Sequence, residues 1–260
     1  MSSNPEQPDC YHALAPLYDR LMSGTKYQRW ETLIGEVVRG YGVPSGYCLD
    51  LACGTGKITE MVKRLGFEAV GVDRSAEMLA VARKRLPDTL FVEADLRDYS
   101  VPCPRERVVM AVSFYDSLNY LTCEDDLLAA FQAAARALTD GAIFLFDMNT
   151  REHVRLMQQA KPRVFDEQDY FAVFRFGGEG RLWQLDMDLF VPENASDTVR
   201  AYSRHQERHL ECGYDEADVA PLLDRAGFDL LEVRQENKLY EDGLEHPSRL
   251  YFVARRRVTL

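Results

Sequence analysis

The chain has 260 residues, 46% of them hydrophobic and 28% charged, a composition that fits a folded globular protein and excludes wholesale disorder. At ~150 residues per domain, that length suits one domain carrying an insertion. Acidic residues outnumber basic ones 42 to 31, for a formal net charge of −11. This disfavours a broad phosphate-binding surface and so argues against nucleic acid as the partner. No apolar run approaches the ~20 residues that span a bilayer. Residues 1–10 read as a polar, disordered leader without signal- or transit-peptide character. The six cysteines, Cys10, Cys48, Cys53, Cys103, Cys123 and Cys212, are scattered without a Cys-x-x-Cys pair. They read as reduced thiols of a cytoplasmic protein, not as a disulfide scaffold or a zinc site.

In chain order, Tyr11, Leu14, Tyr18 and Leu21 recur at helical spacing, as do Trp30, Leu33, Ile34, Val37, Val38 and Tyr41. Tyr47–Leu51 is a short apolar strand broken by Gly54 and Gly56. A helix over Lys57–Leu65 follows, then a strand over Ala69–Val72 ending at Asp73. Ser75 caps the next helix. Leu90–Val92 is a third strand, ending near Asp95, and Val108–Ser113 a fourth. Thr122 and Asp125 form a capping pair for a helix to about Leu138, and Ala142–Phe146 is a fifth strand, ending at Asp147. Five apolar strands separated by helix-length connections imply βαβ crossovers and a parallel sheet buried on both faces.

Beyond Arg163 the texture changes. Val164–Phe165, Tyr170–Phe176, Leu182–Val191 and Val199–Leu210 read as antiparallel strands, with a hairpin turn at Gly177–Gly180. A helix over Asp215–Ala226 starts late or kinks at Pro221. Final strands cover Phe228–Val233 and Leu250–Ala254. The expected fold is α/β, a doubly wound, Rossmann-like, mostly parallel sheet with an antiparallel β insertion. Residues 11–162 and 211–260 form the main domain and 163–210 the insertion.

The segment Leu49–Lys57 carries the strongest chemical signal. Glycines between a strand and its helix let backbone approach a ligand, and the helix N-terminus offers free N–H donors. Asp73 stands where a carboxylate accepts from ribose hydroxyls, and Asp95 where one could accept from an adenine amino group. Three acidic strand ends around one glycine loop describe an adenosine pocket. The dinucleotide fingerprint needs a third glycine where Thr59 stands, and no Lys-Ser/Thr pair marks a P-loop.

These residues resemble class I S-adenosylmethionine-dependent methyltransferases. The family's first motif matches Asp50 through Gly56, with Ala52 in place of the first glycine. Its later motifs match Asp73 with Met78, Ala94-Asp95-Leu96, and Ser113 through Tyr120. The resemblance implies a seven-strand sheet and S-adenosylmethionine as cofactor, leaving as S-adenosylhomocysteine. It counts Asp50 among the cofactor-binding residues and places Ala52, Gly54 and Gly56 at the methionine portion and Asp73 on the ribose. Met78, Asp95 and Leu96 fall on the adenine, with Phe114 and Leu118 near the sulfonium. A further resemblance, to amino-sugar and glycine N-methyltransferases, rests on Ala13–Asp19, the insertion and Gly213–Glu216. It implies that Tyr18, with Tyr11 and Trp30, closes over the cofactor.

The insertion would then be a lid whose polar face lines the acceptor pocket. His205 and Glu207 share one side of their strand and are the candidates to orient or deprotonate the acceptor. Tyr11, Tyr115, Asn119 and Tyr120 are candidate pocket-edge residues. The expected activity is methyl transfer by in-line displacement to a small molecule, at nitrogen, by a cytoplasmic enzyme with no membrane partner and with a homodimer as an open assembly. The competing readings are a non-catalytic adenosylmethionine-binding module and an NAD-dependent oxidoreductase.

Overall fold

A computed structural model describes residues 11, 14–25, 27–193, 201–240 and 243–258. The leader, His12 and the first two residues of the strand expected from Val199 lie outside that set. In chain order the described elements are α1 (Tyr18–Leu21), α2 (Gln28–Tyr41), β1 (Tyr47–Leu51), α3 (Lys57–Arg64), β2 (Glu68–Asp73), α4 (Ala76–Arg85), β3 (Leu90–Glu93), β4 (Val108–Ser113), α5 (Glu124–Ala137), β5 (Ile143–Asn149), α6 (Arg151–Met157), β6 (Arg163–Asp166), β7 (Phe171–Gly177), β8 (Leu182–Pro192), β9 (Tyr202–Cys212), α7 (Glu216–Arg225), β10 (Phe228–Leu239) and β11 (Glu245–Arg256).

Among these residues the chain forms two sheets. The larger has seven strands in the order β10-β11-β5-β4-β1-β2-β3. All its pairings are parallel except those of β11 with β10 and β5. This is the expected Rossmann-like α/β sheet. Strands β1, β4 and β5 are apolar and buried on both faces, as helices on either side of a parallel sheet require. The strand order reverses between β1 and β4, and a ligand crevice forms at the carboxyl ends on either side of such a reversal.

The second sheet is antiparallel, β6-β7-β8-β9, with its β7–β8 turn at Gly178 and Gly180, both at positive φ. Tyr170, Ala172, Phe174, Met187 and Leu189 make a small core there with Leu14 and Leu17 of the N-terminal segment. The face that carries Trp183, Leu185 and Met187 turns inward, where Trp183 and Leu185 pack with Val154 and Met157 of α6. The polar face turns outward and pairs with itself. Asp188 accepts from Arg204 (2.9 Å), Gln206 (2.8 Å) and Arg175, and Asp186 accepts from Arg208 (2.6 Å). The expectation of a polar face lining the acceptor pocket is therefore corrected. A sheet with one covered face buries the apolar one, because water costs the aromatic side most.

Three local readings also change. Helix α5 takes Cys123, not Thr122, as its N-cap, and Glu124, Asp125 and Asp126 face the positive helix end. Helix α7 begins on schedule behind an Asp215–Asp218 capping box and carries Pro221 within its length. Strands β5, β10 and β11 run well beyond their apolar cores.

Candidate active site

Two cavities open at the carboxyl edge of the large sheet. The first, of about 430 Å³, is lined from four strand ends: Ala52 and Gly54 after β1, Asp73 and Arg74 at β2, Ala94 to Arg97 after β3, and Tyr115 and Ser117 after β4. The second, of about 750 Å³, lies beneath the inward face of the small sheet, against Phe174, Phe176, Trp183, Leu185 and Met187. Both volumes fall in the ~300–1,000 Å³ range of small-molecule sites. Tyr11, Tyr18, Tyr115 and Tyr120 line both cavities and so form the neck between them.

The glycine loop is shaped by backbone conformation and held by Asp73. Ala52 (φ 59°), Gly54 (φ 52°) and Gly56 (φ 79°) are all left-handed. Asp73 Oδ2 accepts from the Gly54 amide at 2.8 Å and its Oδ1 from the Ser75 amide at 2.9 Å. Burial pushes the Asp73 carboxyl above its ordinary value, against those two bonds. A Cβ on Gly54 would meet no protein atom within 4 Å, so the loop's outer side faces open cavity. Asp95 grips Arg97 through both carboxylate oxygens, at 2.8 and 2.7 Å, and is held below the usual carboxylate range by it. Arg97 also reaches Asp126 at 3.1 Å.

Several candidates stand behind this wall and not in it. Asp50 is buried and accepts from Thr59 Oγ1 at 2.5 Å. Burial raises its pKa to about 7, with Asp73 adding to the rise. Thr59 thus fills the place of the absent third glycine by binding the β1 acid. Gly56 packs against Ala82 and Phe91, and Phe114 and Leu118 are core residues. Trp30 is fully buried, and its indole donates to Asp147 Oδ2 at 2.9 Å. Asn119 is also fully buried, donating to the carbonyls of Asn149 (3.0 Å) and Cys212 (2.7 Å). Of the cofactor candidates, Tyr18, Ala52, Gly54, Asp73, Met78, Asp95 and Leu96 line the first cavity.

Asp147 lies inside β5, not at its end. It accepts from Trp30, from the Asp116 amide (2.8 Å) and from Arg249 (2.8 Å), while Arg249 also binds Asp116 at 2.6 Å. This buried network holds Tyr115 (φ 64°) and Asp116 (φ 55°) left-handed, a strain of about 1–2 kcal/mol per residue. Tyr115 is thereby aimed into the neck.

His205 shares the side of β9 that carries Glu207, as its spacing implies, but it is exposed and lines neither cavity. The histidine beside Glu207 is His209, with Nε2 at 3.3 Å from Glu207 Oε2. From there a chain of contacts reaches the neck: His209 Nδ1 to Tyr120 OH at 2.8 Å, and Tyr120 OH to Tyr11 OH at 2.6 Å. Glu207 also accepts from the Tyr11 and Leu14 amides, both at 2.9 Å. Burial pushes its pKa up, but these bonds outweigh burial and hold it below the usual value. Glu207 therefore pins the N-terminal segment over the site. Sequence reasoning missed His209 and Glu211, which continue the period of two past Glu207.

Residues 48–141 match the family described as Methyltransferase domain. The chain is 29% identical over 256 residues to YqeM of Bacillus subtilis (strain 168), provisionally named a methyltransferase, across 96% of this chain and 98% of that one. It is 31% identical over 140 residues to the dTDP-3-amino-3,6-dideoxy-alpha-D-glucopyranose N,N-dimethyltransferase of Streptomyces fradiae, spanning 53% of this chain and 54% of that enzyme. Among solved structures, an S-adenosylmethionine-dependent methyltransferase from Clostridium acetobutylicum ATCC 824 matches with a TM-score of 0.80 at 25% identity, over 96% of this chain and 100% of that one.

With the sheet order and the strand-end cavity, these likenesses define a class I S-adenosylmethionine-dependent methyltransferase, with S-adenosylmethionine as its cofactor. Within that class the chain resembles the amino-sugar N-methyltransferases. The oxidoreductase alternative is thereby set aside. The first cavity fits the cofactor: acidic strand ends, open space over Gly54 and an apolar wall of Met78 and Leu96 meet there.

Proposed function

We propose that this enzyme methylates a nitrogen atom of a small molecule held in the second cavity. The observation that carries this reading is the neck of four tyrosines, where a donor site and an acceptor site share one wall. S-adenosylmethionine, when bound, supplies a methyl group already activated on a positively charged sulfur. The chain then has to orient, exclude water and move a proton. On this reading Asp73 takes ribose hydroxyls through the lone pairs its amide bonds leave free, Met78 and Leu96 flank the adenine, and the Ala52–Gly54 backbone meets the methionine portion. The tyrosine rings offer π faces to a positive centre.

Two carboxyls serve the acceptor side. Glu211 and Asp116 line the second cavity, and burial raises both. Raised carboxyls suit proton removal from an ammonium acceptor. The relay Tyr11–Tyr120–His209–Glu207 gives a second exit for a proton from the neck. The Streptomyces fradiae relative is named for dimethylating an amino sugar, which supports nitrogen as the target.

The test has two parts. Asp73→Asn should weaken S-adenosylhomocysteine binding by ~2 kcal/mol or more, read by calorimetry, through loss of charge-assisted bonds to the ribose. With methyl-labelled donor and a panel of amino sugars, other amines, alcohols and carboxylic acids, label should pass to amines. Transfer confined to oxygen acceptors would overturn the nitrogen assignment.

A further inference from the structure

We propose that the acceptor cavity contains an anion subsite at its exposed rim, formed by Arg163 and Lys238, and that the acceptor carries a carboxylate or phosphate away from the atom methylated. The proposal rests on the acceptor reading of the second cavity and adds a chemical class to it.

Other cations lining this cavity are matched: Arg29 by Glu236 at 2.8 Å, and Arg249 by Asp116 at 2.6 Å and Asp147 at 2.8 Å. The cations on the outer face of the small sheet, Arg175, Arg204 and Arg208, are matched as well. Arg163 and Lys238 form no ion pair among the described residues. Their charged groups lie over rings: the Phe176 centroid is 5.4 Å from the Arg163 guanidinium and the Tyr240 centroid 5.7 Å from the Lys238 ammonium.

The two cations come from different sheets. Arg163 begins β6 at the edge of the small sheet, and Lys238 stands near the end of β10 at the edge of the large one. Both line the second cavity and neither lines the first, so they face the acceptor and not the cofactor. The carboxyls that could answer them are engaged elsewhere: Glu236 holds Arg29 and the Tyr251 hydroxyl, Asp116 holds Arg249, and Glu211 accepts from Asn149 Nδ2 at 3.1 Å. His153, also in the lining, is pushed down to about 3 by burial and by Arg249, Lys238 and Arg163, so it adds no charge. Burial and the same arginines push Lys238 down too. Two like charges lining one cavity repel each other, and an anion placed against both converts that repulsion into two charge-assisted bonds.

The test is calorimetry on the full chain saturated with S-adenosylhomocysteine, titrated separately with tricarballylate and with inorganic pyrophosphate. We expect at least one probe to bind. Arg163→Gln and Lys238→Gln should each weaken it by about tenfold or more, with S-adenosylhomocysteine affinity retained as the check on folding. Arg208→Gln, on the outer face, should leave anion binding unchanged. Stronger tricarballylate binding assigns a carboxylate acceptor, and stronger pyrophosphate binding a phosphate-bearing one. Binding of neither probe, or binding insensitive to both substitutions, overturns the subsite. Because no turnover is read, failure of the nitrogen assignment would show separately, in the labelled-methyl panel.

Discussion

Glu207→Gln isolates what closes the active site. The wild-type carboxylate accepts two backbone N–H groups from the N-terminal segment, at Tyr11 and Leu14, and faces His209. A glutamine amide offers one acceptor oxygen and turns an NH2 group towards the rest. One charge-assisted bond is lost and one buried N–H is left facing a donor, at a cost of about 2–3 kcal/mol. The segment keeps its other anchors: buried Leu14 and Leu17, and Asp19, which accepts from Thr55 Oγ1 at 2.7 Å and pairs with Arg85. The variant should therefore fold and open locally. At ~1.4 kcal/mol per factor of ten, its open population rises about 30- to 150-fold. Amide exchange at Leu14 should accelerate by that factor, while the β4 and β5 amides exchange as in wild type. Tyr11 and Tyr18 line the cofactor cavity, so S-adenosylhomocysteine should also dissociate faster, by about tenfold or more by the same arithmetic. Acid should mimic the variant. The folded pKa of Glu207 lies below its ordinary value, so this stabilisation is present above the ordinary carboxylate range and disappears as pH falls through the folded value. Wild-type exchange at Leu14 together with an unchanged dissociation rate would refute the reasoning.

Two further outcomes follow from the glycine loop. Asp50, raised from 3.8 to about 7, ionises at a cost of about 4 kcal/mol more in the folded chain than in the unfolded one. The native state holds the extra proton, so the contribution of Asp50 is full below the unfolded value and is lost as pH rises through about 7. Urea midpoints from acid to neutral pH should show this slope in wild type and not in Asp50→Asn; parallel profiles would count against it. Ala52→Gly should relieve ~1–2 kcal/mol of left-handed strain and lose ~0.4–1 kcal/mol to chain entropy, for a net gain between zero and about 1.6 kcal/mol. The melting temperature should hold or rise, and a fall would contradict the strain at φ 59°.

The sequence alone carried the parallel sheet and much of the first cavity. Strands buried on both faces announce themselves as apolar runs, and Val108–Ser113 is bounded as its run implies. The loop at Ala52–Gly56, Asp73, Met78, Asp95 and Leu96 is legible because each follows a strand that local pattern locates. What local pattern could not supply was depth. Asp50, Trp30, Phe114 and Leu118 stand close to the cavity in sequence, yet packing turns them into the core.

The acceptor side was decided by tertiary structure. Strands β10 and β11 extend past their apolar halves as a polar hairpin, and that extension brings Glu236, Lys238 and Arg249 into the second cavity. Period-two spacing correctly assigned His205 and Glu207 to one side of β9. It could not say that cover over that side favours His209 and leaves His205 in water. Nor could alternation say which face of the small sheet turns inward. Packing of Trp183, Leu185 and Met187 on the cavity side settles that, because the favourable contact exists only once both sheets are folded.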